Sequence, residues 1–331
     1  MSKILEVNNL VQEFDLTKGI LDKVKFKNGK FVKEEKVVHA VNNINFSVEE
    51  GEVFSLVGES GCGKSTTART VIKLVEPKGG TIKFRDEDIT NLSRHEMLKY
   101  RKKMQMIFQD PYASLNPRQK IIDIIKEPMM FHKVAENNSE ADDRAMTILK
   151  KVGIRSEQAY RYPHQFSGGQ RQRIGIARAL AVEPEFIIAD EPVSALDVSI
   201  QAQILNLLMD LKDEYKFSYL FIAHDLSVVS HISDKVGVMY LGKIVEKGKK
   251  KQIFSNPLHP YTKALFDSVP KLSGDNLKNS KGIEGEIQSA INLPSGCFFC
   301  DRCPHANDIC KKEIPVDKEV ESGHNVACHL Y

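Results

Sequence analysis

The first residues with an evident chemical use form the stretch GESGCGKS at positions 58–65. Its glycines let the backbone curl until successive N–H groups converge on phosphate oxygens. In this pattern Lys64 reaches the β- and γ-phosphates, and the Ser65 hydroxyl lies on Mg²⁺. The stretch therefore predicts a nucleotide site, and its contacting residues are Gly58, Ser60, Gly61, Cys62, Gly63, Lys64, Ser65 and Thr66.

The elements on either side of this loop must hold it in place. Residues 52–57 are predicted to form a buried strand, and residues 65–74 are predicted to open a helix. The N-terminus of that helix adds positive potential where phosphate would bind. An ordinary glycine-rich turn is the alternative interpretation, and the presence of both flanking elements disfavours it.

A second acidic strand is predicted at residues 186–191, an apolar run that ends in two carboxylates. At the end of a strand beside the phosphate loop, Asp190 can hold Mg²⁺ while Glu191 orients the attacking water. Their roles differ because successive side chains on a strand point in opposite directions. The alternative is an ordinary strand that ends in solvated acids.

Further pieces follow in a fixed order along the chain. Ser167, Gly168, Gly169 and Gln170 precede a helix predicted over residues 172–181, with Ser167 as its N-cap, and they predict a second anion site. The sequence Ser-Ala-Leu-Asp occupies 194–197, and an apolar strand predicted at 219–223 delivers His224 at its end.

These motifs together resemble the ATP-binding-cassette (ABC) ATPases, over roughly residues 3–250. The order of the phosphate loop, Gln109 after 104–108, Ser-Gly-Gly-Gln, Asp-Glu, Ser-Ala-Leu-Asp and His is that of the family, with Phe166 where the family usually has Leu. The resemblance implies an α/β fold: a P-loop NTPase cassette with a RecA-like core and a helical subdomain.

Finer detail resembles one branch, the ATPases of oligopeptide/dipeptide importers, and within it the F-type subunit. The stretches that carry this resemblance are VGESGCGKST at 57–66, FQDPYASLNP at 108–117, RYPH at 161–164, RQRIGIAR at 171–178, PVSALDVS at 192–199 and NPLHPYT at 256–262. The branch implies a heterodimer with a D-type ATPase, two membrane permease subunits and an extracytoplasmic peptide-binding protein. It implies a peripheral protein at the cytoplasmic face of the membrane.

The resemblance also implies roles for individual residues. The family pairs two chains head to tail, so that Ser167–Gln170 closes on ATP held by the partner's phosphate loop. Glu191 is then the general base and His224 the switch that senses the γ-phosphate. Gln109 coordinates Mg²⁺, together with Ser65 and Asp190, and reports to the membrane subunit. Phe14 matches the position that stacks on adenine, against the alternative of a core aromatic, and His39 is a weaker candidate.

Length and composition set the limits of this interpretation. The chain has 331 residues, enough for one large and one smaller domain, which we place at 1–255 and 256–331 with the helical subdomain at about 110–180. Its 47 basic and 44 acidic residues indicate no general nucleic-acid footprint. No apolar run is long enough to cross a bilayer, which predicts a soluble intracellular protein that needs membrane partners for transport.

Five of the six cysteines lie near the C-terminus, after a Gly/Ser/Asn-rich linker predicted at 268–294. In a cytosolic protein this density predicts a metal site rather than disulfides. Four thiolates suit either tetrahedral Zn²⁺ or an iron–sulfur cluster, and the spacing does not choose between them. The family resemblance implies a [4Fe–4S] cluster that serves as a structural clip, with zinc or no metal as alternatives. Its ligands would be Cys297, Cys303, Cys310 and Cys328, and Cys300 is extra to the pattern.

Two smaller features have competing interpretations. Cys62, near Lys64 and a helix N-terminus, is either an oxidisable thiol of lowered pKa or a small residue at a permissive position, and the second is favoured. Residues 24–33 alternate around Asn28-Gly29, which predicts a hairpin. This lysine-rich hairpin is either solvated, which is favoured, or in contact with anionic lipid.

Functions from other classes are disfavoured by the length of the chain. A soluble ABC protein of translation carries two cassettes, whereas this chain has one. A DNA-repair ABC ATPase needs a long coiled coil between the phosphate loop and the Ser-Gly-Gly-Gln motif, which is the signature of the family. The gap of roughly a hundred residues in this chain has no room for it. Within the family, nickel and glutathione importers are the competing interpretations.

Overall fold

The computed structural model describes residues 2–17, 24–27, 30–33, 36–267 and 288–331. Its strands are β1 (Lys3–Asp15), β2 (Val24–Lys27), β3 (Lys30–Lys33), β4 (Val37–Glu49), β5 (Val53–Val57), β6 (Gly79–Phe84), β7 (Glu87–Asp88), β8 (Met104–Ile107), β9 (Phe186–Asp190), β10 (Ser218–Ala223), β11 (Lys235–Tyr240), β12 (Lys243–Lys249), β13 (Lys318–Glu321) and β14 (His324–Val326). Its α-helices are α1 (Lys64–Val71), α2 (Leu98–Lys103), α3 (Ile121–Phe131), α4 (Asn138–Lys151), α5 (Gly168–Leu180), α6 (Val198–Tyr215), α7 (Leu226–Ile232), α8 (Lys250–Ser255), α9 (Pro260–Asp267) and α10 (Asp308–Lys312).

The chain divides into two compact units. The first contains Met1–Leu5, Ser47–Ser55 and Phe84–Asp234. The second contains Glu6–Phe46, Leu56–Lys83 and Lys235–Tyr331.

The first unit is built on strands in the order β5-β10-β9-β8, with the first three residues of β5 belonging to it. Strands β8 and β10 both pair with β9 in parallel, with Ile107 opposite Ala189 and Ile222 opposite Asp190. All five residues of β9 are buried, as expected of a parallel strand covered on both faces. Because the three strands are parallel, the residues that follow them meet at one edge of the sheet.

Between β8 and β9, residues 110–180 form the helices α3, α4 and α5 with two short 3₁₀ turns. Helix α4 begins where the Asn137 side chain accepts a hydrogen bond from the Glu140 N–H, and it buries Ala141, Ala145 and Leu149. This four-residue spacing is one face of a helix. The Asn137 cap therefore starts the helix slightly before the first residue of the apolar pattern.

The second unit carries strands in the order β4-β1-β6 and, separately, β11-β12-β14-β13. Strand β14 pairs antiparallel with β12, which places Val326 opposite Glu246. The Glu246 carboxylate is buried, and it accepts hydrogen bonds from the backbone N–H groups of Leu258 and His259 at 2.8 and 2.9 Å. His324 Nε2 lies 2.8 Å from the same carboxylate. One buried acid therefore joins β12, the NPLHPYT stretch and the C-terminal strands.

The lysine-rich hairpin is present as the antiparallel strands β2 and β3, with Lys27 opposite Lys30. Its turn residues Asn28 and Gly29 lie outside the described residues. The linker predicted at 268–294 is described only from residue 288 onward. Among the helices that the structure describes, none combines the length and apolar character needed to span a membrane.

Candidate functional site

The phosphate loop lies between β5 and α1, so the predicted strand–loop–helix arrangement is confirmed. Two glycines are required by geometry. Gly58 has φ 153°, and a Cβ there would lie 2.1 Å from the Met239 carbonyl oxygen. Gly63 has φ 109°, and its Cβ would lie 2.1 Å from the Ala40 carbonyl oxygen. Any larger residue at either position would force the loop apart.

Lys64 is the first residue of α1, and its side chain points back into the loop. Its Nζ donates hydrogen bonds to the carbonyl oxygens of Gly58 and Glu59, at 2.8 and 2.9 Å. The residue is buried, so its positive charge is held inside the curve of the loop. This is where a phosphate would need a cation.

Cys62 is buried beside Lys64, with 3.8 Å between Sγ and Nζ. Burial raises the pKa of the Cys62 thiol, and the opposing effect of the Lys64 charge is smaller. The interpretation of Cys62 as a low-pKa, oxidisable thiol is therefore wrong. The favoured alternative, a small buried residue, agrees with the structure.

Glu191 follows β9, whose last residue is the buried Asp190. The backbone of Glu191 has φ 45°, a left-handed conformation that costs a non-glycine residue about 1–2 kcal/mol. We predicted that the side chains of Asp190 and Glu191 point in opposite directions because both lie on one strand. That reason is wrong, because the strand ends at Asp190. The turn at Glu191, fixed by its N–H bond to the Ile222 carbonyl at 3.0 Å, is what sets its direction.

The Glu191 carboxylate contacts two other predicted site residues, Gln109 and His224. Its Oε2 lies 3.1 Å from Gln109 Nε2, which donates to it, and 3.1 Å from His224 Nδ1. Gln109 follows β8 and His224 follows β10, so the parallel sheet brings together residues far apart in sequence. The Glu191 side chain is 13% exposed and that of His224 54%, which leaves the cluster half open to solvent.

The Ser-Gly-Gly-Gln stretch begins helix α5. Ser167 is its N-cap, as predicted: the Ser167 Oγ accepts from the Gln170 N–H at 3.3 Å, and Gln170 Oε1 accepts from the Ser167 N–H at 3.1 Å. The helix starts at Gly168 rather than at residue 172, because this reciprocal capping box supports two glycines of low helix propensity. Ser167 is exposed, so this helix N-terminus faces solvent in the single chain.

Phe14 lies within β1, which continues to Asp15. Its side chain is 37% exposed, so it is not a core aromatic. His39 Nδ1 is paired with Glu13 Oε1 at 2.7 Å. Phe14 is therefore partly exposed, whereas His39 is paired with Glu13.

Several contacts around Glu59, a residue of the phosphate loop, were not predicted. The Glu59 N–H donates to the Tyr261 hydroxyl at 2.9 Å. Arg302, from the cysteine-rich segment, donates to both carboxylate oxygens of Glu59 at 2.9 and 3.1 Å. Tyr261 lies in the NPLHPYT stretch and Arg302 directly precedes Cys303, and nothing in those local patterns indicates a loop contact.

The cysteines of the C-terminal segment are free thiols. The Cys297 N–H donates to the Cys310 carbonyl at 2.7 Å, an approach that requires Gly296, whose Cβ would lie 2.2 Å from that oxygen. Burial, followed by the charges of Cys310, Cys328 and Cys303, raises the pKa of Cys297 to about 11. Burial likewise raises the pKa of Cys303 and Cys328, with neighbouring cysteines adding to it. Each of these three pKa shifts thus includes a contribution from at least one other cysteine of the segment.

In the described part of the chain, no group of three or more His, Cys, Asp or Glu side chains is arranged to hold a metal ion. Cys300 is buried near Cys310, and burial also raises the pKa of its thiol.

The predicted site residues divide between the two units. The phosphate loop, Phe14 and the cysteines belong to the second unit. Gln109, the signature residues 167–170, Asp190, Glu191 and His224 belong to the first.

Two family profiles match the sequence. The ABC transporter profile matches residues 41–194. The profile of the oligopeptide/dipeptide transporter C-terminal region matches residues 245–310. The second match covers NPLHPYT and four of the C-terminal cysteines.

Characterised proteins resemble the chain over nearly its full length. The oligopeptide transport ATP-binding protein AppF of Bacillus subtilis is 53% identical over 331 residues, covering 99% of this chain and 97% of that protein. The dipeptide transport ATP-binding protein DppF of Escherichia coli is 45% identical over 319 residues, covering 96% and 93%. A dimeric, post-hydrolysis structure of the ATP-binding cassette MJ0796 bound to ADP and Pi is 28% identical, with a TM-score of 0.63 over 74% of this chain and 98% of that one.

Proposed function

The chain belongs to the family of ATP-binding proteins of oligopeptide/dipeptide ABC transporters, and we propose that it couples ATP hydrolysis to the import of peptides. Its fold is that of a P-loop ABC cassette, and it is an ABC-type ATPase. We place it as a peripheral subunit at the cytoplasmic face of the membrane. There it works with two permease subunits, while an extracytoplasmic binding protein delivers the peptide.

The observation that carries the proposal is the environment of the Glu191 carboxylate. One of its oxygens contacts Gln109 and His224 at 3.1 Å each, at the common edge of three parallel strands. A carboxylate held this way can accept the proton of a water molecule as that water attacks the γ-phosphorus. The bond from phosphorus to the ADP oxygen breaks, and His224 is the residue that we propose senses the γ-phosphate.

The phosphates of ATP are assigned to the loop from Gly58 to Thr66, with Lys64 facing the β- and γ-phosphates. Its buried amine and the glycines required by geometry support this assignment. Mg²⁺, when bound, neutralises phosphate charge, and Ser65, Gln109 and Asp190 are the residues proposed to hold it. The exposed ring of Phe14 is proposed to stack on adenine.

The second anion site, at Ser167–Gln170, is proposed to contact ATP that is bound to a partner ATPase and not the ATP of this chain. The N-terminus of α5 faces solvent at Ser167, where the positive end of the helix dipole would favour an incoming phosphate. We propose a head-to-tail heterodimer with a D-type ATPase, in which residues 167–170 of this chain complete the partner's site. Closure around ATP and opening after hydrolysis would then drive the permease.

We further propose that the C-terminal cysteines hold a [4Fe–4S] cluster as a structural clip. The thiols of Cys297, Cys303, Cys310 and Cys328 are free, and the Cys297 N–H donates to the Cys310 carbonyl at 2.7 Å. Four thiolates suit either a [4Fe–4S] cluster or tetrahedral Zn²⁺, and we choose the cluster because the Cys pattern resembles that of the family. The group when bound would cross-link a small, loop-rich segment, and Zn²⁺ is the alternative.

Iron analysis tests the cluster directly. We expect about four irons and four acid-labile sulfides per chain after anaerobic purification, following the [4Fe–4S] stoichiometry. Stoichiometric zinc would instead support the single-ion alternative, and metal-free protein would remove both.

The competing importers differ in cargo. The relatives carry oligopeptide and dipeptide names, which favours peptides over nickel or glutathione. Purification of the tagged chain from native membranes tests the assembly: we expect a second ABC ATPase and two permeases. Recovery of the chain without permeases, or with a translation or DNA-repair complex, would contradict the proposal.

A further inference from the structure

The C-terminal segment reaches the phosphate loop through one side chain, that of Arg302. Its guanidinium donates from Nη1 to Glu59 Oε2 at 2.9 Å and from Nη2 to Glu59 Oε1 at 3.1 Å. This is the two-pronged geometry of the strongest arginine–carboxylate pairs. The Arg302 side chain is 5% exposed and that of Glu59 20%, so the pair is shielded from solvent rather than lying on the surface.

Arg302 is held on its own side by the cysteine segment. It ends the single 3₁₀ turn Cys300–Arg302, in which its N–H donates to the Phe299 carbonyl at 3.1 Å. The buried Phe299 ring packs against Tyr240 and Tyr261, with ring centroids 5.2 and 5.4 Å apart. Arg302 Nη1 also donates to the Tyr240 hydroxyl at 3.3 Å. These contacts hold the Arg302 guanidinium in place independently of its bonds to Glu59.

Glu59 is held at three points, and each one bears on the phosphate loop. Its side chain binds Arg302, its N–H donates to the Tyr261 hydroxyl, and its carbonyl accepts from Lys64 Nζ at 2.9 Å. A glycine-rich loop is costly to order, at about 1–2 kcal/mol for each backbone unit fixed. Contacts that order the loop before nucleotide arrives reduce that cost at binding.

We propose that Arg302 is a positioning residue for the nucleotide, through which the folded cysteine segment fixes the phosphate loop and thereby sets its affinity for ATP. The inference rests on the proposed assignment of that loop as the ATP site. Arg302 does not touch the nucleotide; it acts through Glu59. The cysteine segment then has a function besides stabilising itself, because its folding controls the geometry of the motor's own binding loop.

The test measures the affinity of the full-length protein for Mg²⁺–AMP-PNP by calorimetry, together with KM and kcat for ATP. We expect Arg302→Ala to raise Kd and KM about tenfold, equivalent to about 1.4 kcal/mol, with kcat changed less than about twofold. Arg302→Lys keeps the charge but loses the planar fork, and we expect an intermediate Kd. Glu59→Ala should match Arg302→Ala, and the double variant should be no worse than either, because both remove one interaction.

A matched control separates this role from general loosening of the segment. Lys247 also pairs with an acid of the C-terminal segment, Asp317, at 2.6 Å, and its other hydrogen bond among the described residues goes to the Asn45 carbonyl, outside the phosphate loop. Lys247→Ala should leave Kd unchanged. If Arg302→Ala fails to fold, Arg302→Lys and Tyr261→Phe still decide, since each removes one loop contact while keeping a side chain of similar size.

Unchanged nucleotide affinity in folded Arg302→Ala or Arg302→Lys protein would overturn the inference. An equal loss of affinity in Lys247→Ala would also overturn it, because the effect would not be specific to Glu59. Lys64→Ala identifies a failure of the underlying assignment: normal AMP-PNP binding by that variant would refute the loop as the ATP site. Loss of binding in Lys64→Ala with none in Arg302→Ala would refute the inference alone.

Discussion

At the scale of single residues, the geometry around Glu191 sets the chemistry. Its carboxylate is largely buried, yet it contacts an amide donor and an imidazole that approach from two neighbouring strand ends. Its left-handed backbone is strained, and strain of this kind is retained in folded proteins where the surrounding structure fixes it. The side chain is thus aimed by the fold and not by its own conformational preference.

Glu191→Gln should bind ATP with near-normal affinity and hydrolyse it at least about 100-fold more slowly, because the amide cannot accept a proton from water. Phosphate release under saturating ATP measures the loss. Glu183→Gln is the matched control: Glu183 also has positive φ, but it pairs with Arg144 on the surface. Near-normal hydrolysis by Glu191→Gln would remove it from the role of general base.

His259 makes stability depend on pH. It is buried, and burial lowers its pKa to about 3, while its Nδ1 accepts the Tyr261 N–H at 3.0 Å. Between pH 3 and the ordinary pKa of 6.5 the unfolded chain binds a proton that the folded chain does not, so stability falls as the pH falls through this window.

From pH 7 to pH 5 this single histidine should lower the free energy of unfolding by about 2 kcal/mol. His259→Asn keeps an acceptor for the Tyr261 N–H and cannot be protonated, so we expect a flatter pH dependence in denaturant unfolding. An identical slope in the variant and the wild type would show that other groups cause the acid sensitivity.

At the scale of elements, the apolar runs and the residues that bound them predicted the central strands well. The strands expected at 52–57, 186–191 and 219–223 were each found within a residue or so, because short apolar runs bounded by glycine or acids have few alternatives. Helix α5 was predicted to start too late, since two glycines obscured a start that capping determines. Strand β13 was not predicted, because Lys318–Glu321 is entirely exposed and forms through pairing with β14 rather than through burial.

The contacts that complete the site could not be predicted in the same way. The meeting of Gln109, Glu191 and His224 depends on the register of three parallel strands. The Arg302–Glu59 pair joins residues whose local sequences carry no signal for each other. Both depend on tertiary geometry, which periodicity does not encode.

The loop glycines give a prediction for backbone geometry. Gly63→Ala places a Cβ against the Ala40 carbonyl at positive φ, and we expect a loss of more than about 2 kcal/mol of stability. Gly175→Ala is the matched control within α5, where a Cβ meets nothing within 4 Å, and we expect a gain of about 0.5–1 kcal/mol. Thermal unfolding with equal midpoints for the two variants would contradict this account of the loop.

At the scale of the whole molecule, the chain is an ATPase, and the proposed transport requires permease subunits as partners. The proposed cycle uses two parts of the chain. One is the phosphate loop together with the cysteine segment. The other is the contact of Glu191 with Gln109 and His224, together with the exposed N-terminus of α5. The full-length similarity to peptide-transport ATP-binding proteins covers both parts and the C-terminal segment. The domain boundary at 255/256 remains a prediction.

The most direct measurement is peptide uptake by the transporter assembled with its two permeases and the second ATPase in proteoliposomes, with the binding protein and labelled peptide on the extracytoplasmic side. We predict ATP-dependent accumulation of peptide with the wild-type chain, and none with Glu191→Gln in an equally assembled complex. Uptake of nickel or glutathione but not peptide would contradict the assigned cargo. Peptide uptake that persists with Glu191→Gln would contradict the central claim that hydrolysis at this site drives transport.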